Sequence, residues 1–275
     1  MNHRVSLGEV GFIGAGNMAE ALVGGMLEAG VAEAGALAAS DMRPERRRHF
    51  TEKYNIAAYD DNRALVRNRD MVVLCVKPQQ VDSVLEEIAA VLDKSRTTIL
   101  SIAAGIPTAR IEHRLGEDAR VVRAMPNTPA LIRQGAAAIC AGKSATDSDM
   151  ARAETLLGAV GIVVTVKEEL MNAVTAVSGS GPAYVFYLME AMIDAARQMG
   201  MDDEVARRLV VQTVKGAGML CEARNCSPEE LRAAVTSKGG TTAAALLALS
   251  EGKVIQHLMA AIKAAHRRAE ELARG

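Results

Sequence analysis

The stretch VGFIGAGNMAEALVGGML, Val10 to Leu27, restricts the fold more than any other part of the chain. An apolar strand runs directly into Gly14-Ala15-Gly16-Asn17-Met18-Ala19, and a helical pattern follows at once. Gly14 permits a tight turn, Gly16 lets backbone approach a bulky anion, and Ala19 lets the helix lie close to the strand. A helix N-terminus carries free N–H groups and the positive end of the dipole, which suits a pyrophosphate. Glycines also end strands without binding anything, but here a strand and a helix both flank the turn. The pattern therefore predicts a dinucleotide site that uses Gly14, Ala15, Gly16, Asn17 and Met18.

Beyond this turn, short apolar or β-branched runs alternate with helical stretches as far as Lys167, the signature of βαβ units around a parallel sheet. Strands are read at EVGFIG, ALAAS, MVVLCV, TILSIA, RVVRAM, AAAICA and IVVTV. Between them, PQQVDSVLEEIAAVL sets Val81, Val84, Leu85, Ile88, Val91 and Leu92 on one face, an amphipathic helix covering the sheet. Asp147-Ser148-Asp149 reads as a helix start.

After Glu168 the strand signals stop. Its longest helix is expected in GPAYVFYLMEAMIDAARQMG, with Pro182 near the start and Gly200 past the end. That segment is apolar over more than one stripe and is expected to be buried on several sides. The last helix, in KVIQHLMAAIKAAHRRAEELARG, puts Val254, Leu258, Ile262 and Ala265 on a stripe that can dock on its own domain or on a second subunit. The fold class is thus α/β: an N-terminal Rossmann-like dinucleotide-binding domain, residues 1–167, and a C-terminal all-helical domain, residues 168–275. The 275 residues, 49% of them hydrophobic, suffice for two cores.

Composition narrows the partners. A formal net charge of -1 offers no global field for nucleic acid or an anionic membrane. Cys75, Cys140, Cys221 and Cys226 show no CxxC spacing, so neither zinc nor disulfides are expected, and no metal site is predicted. MNHRVSLGEV lacks the apolar core of a signal peptide, and the expected location is cytoplasmic.

The end of the second strand, AASDMRPERRR, bears on the choice of nicotinamide cofactor. A carboxylate there binds the ribose diol of NAD, whereas arginine pairs with the 2′-phosphate of NADP. Asp41 argues for NAD; Ser40, Arg43 and the run Arg46 to Arg48 argue for NADP, toward which the reading leans. Three further strand ends should face the same crevice: Val76, Lys77 and Pro78; Ala103, Ala104 and Gly105; and MPNTP, where Asn127 and Thr128 supply hydrogen-bonding groups. Asn62 completes the expected cofactor-binding set.

In order along the chain, GFIGAGNM, VKP, SIAAG, RAMPNTPA, SGSGPAYVF and TSKGGTTAAAL resemble the successive motifs of the pyrroline-5-carboxylate reductase family. The resemblance runs from about Val10 to Ala269, and its last two motifs are the specific ones. It implies reduction of 1-pyrroline-5-carboxylate to L-proline by NADPH or NADH, the last step of proline biosynthesis. It also implies that residues 168–275 bind substrate and dimerise, in a homodimer or a ring of five dimers, with the substrate loop meeting the partner's cofactor.

The residues agree on the chemistry. Reducing a ketone needs a general acid for the developing alkoxide. None of the five histidines, at 3, 49, 113, 257 and 266, falls in a motif, and no lysine lies between Gly181 and Glu190. A cyclic imine can carry its proton on nitrogen beforehand, leaving the protein to position reactants and exclude water.

In SKGGTT the N–H groups of Gly239, Gly240 and Thr241 at a helix start can bind a carboxylate, and Ser237 adds a hydroxyl. The same stretch also reads as an interhelix turn capped by Thr241. By resemblance, Thr242 hydrogen-bonds the imine nitrogen as the catalytic positioner. SGSGPAY reads as a helix start at Ser178 or Ser180 packed near the nicotinamide.

Two departures stand out: Lys238 replaces a proline common in the family, and Asn225 stands in RNCSP where many members carry a glutamate. Two other readings remain open at this point, a reductase of a related cyclic imine or keto acid and a non-catalytic dinucleotide-binding regulator.

Overall fold

The computed structural model describes residues 5–274; His3 and the first residues of the N-terminal stretch lie outside the described residues. From the start, β1 (Val10–Ile13), α1 (Asn17–Glu28), β2 (Leu37–Ser40), α2 (Pro44–Tyr54), β3 (Ala57–Tyr59) and α3 (Asn62–Val66) form the first half of a doubly wound sheet. It continues through β4 (Met71–Leu74), α4 (Val81–Ile88), β5 (Thr98–Ser101), α5 (Thr108–Leu115), β6 (Arg120–Met125), β7 (Gly135–Ala141), α6 (Asp147–Gly158) and β8 (Gly161–Thr165). The spatial order is β3-β2-β1-β4-β5-β6-β7-β8. Because β1 pairs with both β2 and β4, the crossovers leave it in opposite directions, and a crevice opens beyond the carboxyl ends of these strands.

All seven expected strands form, and two features differ from expectation. The edge strand β3, AAY, is too short and too plain to show alternation. The sheet is mixed, since β7 runs antiparallel to β6. The stretch from Pro126 to Gln134 holds only a 3-10 turn, Thr128–Ile132, closed by Arg133 in the left-handed region at φ 58. A parallel return needs a crossover of a dozen or more residues, so the chain doubles back.

Helices cover both faces. Met26 of α1, Phe50 of α2 and Leu156 of α6 pack on Val10, Phe12 and Val73, whereas Leu65 of α3, Leu85 of α4 and Ile111 of α5 pack on Ile13, Val72 and Leu74. Burying each such side chain stabilises the fold by about 1.5–3 kcal/mol. The expected α4 stripe is buried at Val81, Val84, Leu85, Ile88 and Leu92, although the α-helix ends at Ile88 and its first turn, Pro78–Gln80, is 3-10.

The predicted start of α6 is a capping box on Thr146, whose hydroxyl accepts from the Asp149 N–H while Asp149 accepts from the Thr146 N–H. Asp149 is fully buried and also accepts from Thr98 and Arg152. Burial pushes its carboxyl up, but these donors hold it down at about 2.

The chain divides into two compact units. One runs as far as Ser180 and takes back the chain from Ala265 onward; the other is Gly181–Ala264. In the first, α7 (Met171–Val174) passes through a π-helical turn, Thr175–Gly179. This turn leads through Ser180 straight into α8 (Gly181–Gln198); the helix starts at the expected place, but Ser180 already has helical backbone, at φ -86 and ψ -17. The Ser178 hydroxyl donates to the Val174 carbonyl at 3.1 Å.

The second unit holds α8, α9 (Asp203–Arg224), α10 (Pro228–Ala234), α11 (Thr241–Glu251) and the first part of α12 (Val254–Arg274). With 18 residues α8 is not the longest helix; α9 has 22 and α12 has 21. Nor is α8 buried on several sides: Phe186, Tyr187 and Leu188 are 56%, 76% and 54% exposed in the single chain. The α12 stripe at Val254 and Leu258 is likewise open. Among the described residues no single helix is long and apolar enough to cross a membrane.

Candidate active site

At the glycine turn the Gly14 N–H donates to the Ser40 carbonyl at 2.8 Å. Gly14 sits at φ 95, and a Cβ there would stand 3.0 Å from the carbonyl carbon and oxygen of Cys75. Only glycine fits, because both the left-handed backbone and the neighbouring strand end exclude a side chain. Gly16 caps α1 with extended backbone and no side-chain acceptor, and a Cβ on it would meet nothing within 4 Å. The first intrahelical bond is Glu20 N–H to the Gly16 carbonyl, so the N–H groups of Asn17, Met18 and Ala19 have no partner within the helix. Ala19 is fully buried against the sheet.

This turn borders a cleft of about 470 Å³ whose walls include Gly14, Gly16, Ser40, Arg43, Asn62, Val76 and Lys77 from the expected set. Asp41, Met42, Cys75, Gln80 and Val84 join them. Burial raises the Cys75 thiol far above its ordinary value, which makes it a wall and not a nucleophile.

The other expected positions are placed differently. Ala15 gives its N–H to Asp41 Oδ2 at 3.0 Å, and Pro78 opens the 3-10 turn ahead of α4. Ala103 is buried, and Gly105, at φ 74, lies against Leu272 of α12. Asn127 has both ends of its amide engaged: Nδ2 donates to the Ser178 carbonyl at 3.0 Å and Oδ1 accepts from the Ala136 N–H at 2.9 Å.

The end of β2 is electrostatically closed. Asp41 Oδ1 accepts from the Arg43 N–H and Nε, both at 3.0 Å, and Oδ2 accepts from Arg43 Nη2 at 3.2 Å. Burial pushes the Asp41 carboxyl up, yet the Arg43 guanidinium and the N–H groups of Arg43 and Ala15 hold it below the usual range. Arg43 is therefore not a free cation. Of the basic run, Arg46 donates to the Ala15 carbonyl at 2.6 Å and to Glu20 at 2.7 Å, and Arg47 donates to the Asp41 and Met42 carbonyls. Arg46 braces the glycine turn and Arg47 the end of β2, while Arg48 is exposed, roles that composition alone did not distinguish from a solvated face.

In the helical unit, Gly239 lies at φ 75 and Gly240 is the N-cap of α11, with no side-chain cap. Thr241 is thus the first helical residue, not the cap. The Gly240 N–H is engaged by the Ser237 carbonyl at 3.1 Å, which removes it from the expected anion cradle. Ala244 makes the first intrahelical bond, to Gly240, leaving the N–H groups of Thr241, Thr242 and Ala243 at the helix start. Ser237 and Lys238 are exposed and Thr242 half-buried. Asn225 is the left-handed C-cap of α9 at φ 48, a conformation that asparagine tolerates and glutamate does not favour.

Residues 9–105 match the family model described as NADP oxidoreductase, coenzyme F420-dependent. With the glycine turn and its cleft, this places the chain among the nicotinamide-dinucleotide-dependent oxidoreductases. Residues 168–272 match the model for the pyrroline-5-carboxylate reductase dimerisation domain. Pyrroline-5-carboxylate reductase of Pseudomonas aeruginosa is 43% identical over 270 residues, 98% of each chain. A structure of the Coxiella burnetii enzyme of that name superposes with a TM-score of 0.92 at 38% identity, covering 97% of this chain and 99% of that one. The Plasmodium falciparum pyrroline carboxylate reductase, solved with NADP bound, gives 0.88 at 29% identity, covering 98% and 99%. The chain belongs to the pyrroline-5-carboxylate reductase family.

Proposed function

We propose that the protein reduces 1-pyrroline-5-carboxylate to L-proline with NADPH or NADH, the last step of proline biosynthesis. One observation carries this reading: α1 and α11 both open at a glycine N-cap without a side-chain cap, at Gly16 and Gly240, and no histidine lies at either start. Of the histidines among the described residues, His49 is bound to Glu20 and the others lie on α5 and α12. Such a protein suits a substrate that brings its own proton.

The α1 N–H groups fit the cofactor pyrophosphate, and Val76 and Lys77 border its path toward the crevice. When bound, the reduced nicotinamide supplies hydride to the imine carbon. The α11 start, with the N–H groups of Thr241 to Ala243, holds the substrate carboxylate, Ser237 adding its hydroxyl. Thr242 orients the ring nitrogen, which already carries the proton; hydride addition turns the iminium into the secondary amine. Pre-positioning of this kind supplies several kcal/mol of the barrier reduction.

Residues 1–167 act as the cofactor domain and 168–275 as the substrate and dimerisation domain. The open apolar faces of α8 and α12 support a homodimer, and a ring of five dimers extends that reading. Free thiols at all four cysteines support a reducing, cytoplasmic setting. Ser40, Arg43 and the run Arg46 to Arg48 are the residues that favour NADPH, and of these Arg43 already has its charge matched by Asp41.

The test is cofactor oxidation by the purified protein with pyrroline-5-carboxylate, its six-membered homologue and 2-keto acids, with proline identified as product. Turnover greatest with pyrroline-5-carboxylate supports the proposal. Turnover with the other substrates only, or cofactor binding without turnover on any, refutes it.

A further inference from the structure

Three side chains from three separate elements form a polar relay at the cofactor cleft. Asn62, at the start of α3, donates through Nδ2 to Glu87 Oε2 of α4 at 2.8 Å. Its Oδ1 accepts from the Ser40 hydroxyl of β2 at 2.7 Å. The directions are fixed by chemistry: an ionised carboxylate can only accept, so Glu87 selects the amide orientation of Asn62, and that orientation requires Ser40 to donate. Ser40 has one proton, and the relay takes it.

Taking the cleft as the dinucleotide site of the proposed reductase, we propose that Glu87 determines cofactor specificity by setting this end of the cleft to receive a ribose 2′-hydroxyl in preference to a 2′-phosphate. A phosphate dianion offers only acceptors and needs donors. Ser40 has no O–H left to give, and Arg43 is already matched by Asp41. The remaining donors are the second N–H of Asn62, Lys77 and the three guanidinium N–H groups of Arg43 that Asp41 does not take, while Asp41 cancels the Arg43 charge and Glu87 adds a second carboxylate behind Asn62. A hydroxyl, by contrast, can donate to Ser40 or Asp41. Glu87 itself acts through Asn62 and Ser40 and is a positioning residue.

The Glu87→Gln substitution separates this from simple packing. The replacement amide can donate as well as accept, so Asn62 is free to reverse and return the Ser40 proton to the cleft, and one carboxylate charge is lost. The dissociation constants of NADPH and NADH are measured directly by fluorescence titration, and kcat/KM for each with pyrroline-5-carboxylate.

The expected result is a shift of about tenfold in the NADPH-to-NADH preference toward NADPH, in affinity and in kcat/KM alike, the scale of one charge-assisted hydrogen bond. Ser40→Ala should then reduce NADPH affinity more in the Glu87→Gln background than in the wild type, because only there does Ser40 donate to phosphate. An unchanged preference, with equal Ser40→Ala effects in both backgrounds, overturns the relay and leaves the reductase reading intact. A wild-type protein that binds neither dinucleotide overturns both.

Discussion

Glu20 stands on the first turn of α1 and ties it to α2, and its removal tests how the glycine turn is held. Its Oε1 accepts from His49 Nε2 at 2.7 Å, Lys53 Nζ at 2.9 Å and the Tyr54 hydroxyl at 3.3 Å, and its Oε2 accepts from Arg46 Nη2 at 2.7 Å. The side chain is 19% exposed. Burial pushes its carboxyl up, but Lys53, Arg46 and His49 bring it from the ordinary 4.5 down to about 2. At about 1.4 kcal/mol per pH unit, that depression corresponds to about 3 kcal/mol of stability at neutral pH.

The folded value lies below the unfolded one, so this stabilisation is complete above about pH 5 and is lost as pH falls through the folded value. Asp149 titrates in the same acid window, and only the difference between wild type and Glu20→Gln isolates Glu20. Urea unfolding at one protein concentration, from about pH 7 to about pH 2.5, should show the variant about 2–3 kcal/mol less stable at neutral pH, the gap closing on acidification. A gap of constant size, or none at neutral pH, would refute the reasoning. Because Arg46 also holds the Ala15 carbonyl, the variant should bind dinucleotide several-fold more weakly.

Three further outcomes follow from the geometry. Gly14→Ala should lose about 1–3 kcal/mol in thermal unfolding, from positive φ and from contact with Cys75 backbone, and bind dinucleotide at least about tenfold more weakly by fluorescence. Asn127→Ala should destabilise by about 1–3 kcal/mol in urea, since the Ser178 carbonyl and the Ala136 N–H both lose their partner. Thr242→Ala should lower kcat/KM for pyrroline-5-carboxylate by about 10- to 100-fold, with dinucleotide affinity retained; an unchanged kcat/KM removes Thr242 from the mechanism.

The parts of this molecule that were legible in sequence are those whose cause is local. The glycine turn, the α4 stripe and the α6 start at Asp147 each declare themselves within a few residues. The direction of β7 depends on how far the chain can travel between Pro126 and Gln134, which residue type hardly signals. The two amides show the limit best. Asn127 looks like a ligand because it ends a strand at the crevice, yet a π-turn far along the chain takes its donor. Glu87 looks like any charge on the solvent side of an amphipathic helix, and only the fold brings it to Asn62. Likewise Arg43 reads as a phosphate binder until Asp41, two residues away, is seen to face it.

The last turns of α12 belong with the sheet, where the backbone of Leu272 lies behind Gly105 and Ala269 is buried. During synthesis, therefore, all eight strands of the sheet are made long before this piece of its cover, which comes only with the last turns of α12. Folding intermediates that lack these turns would carry a complete sheet with an uncovered loop at Ala103 to Gly105, and a chain truncated within α12 ahead of Ala269 should show its defect at the sheet.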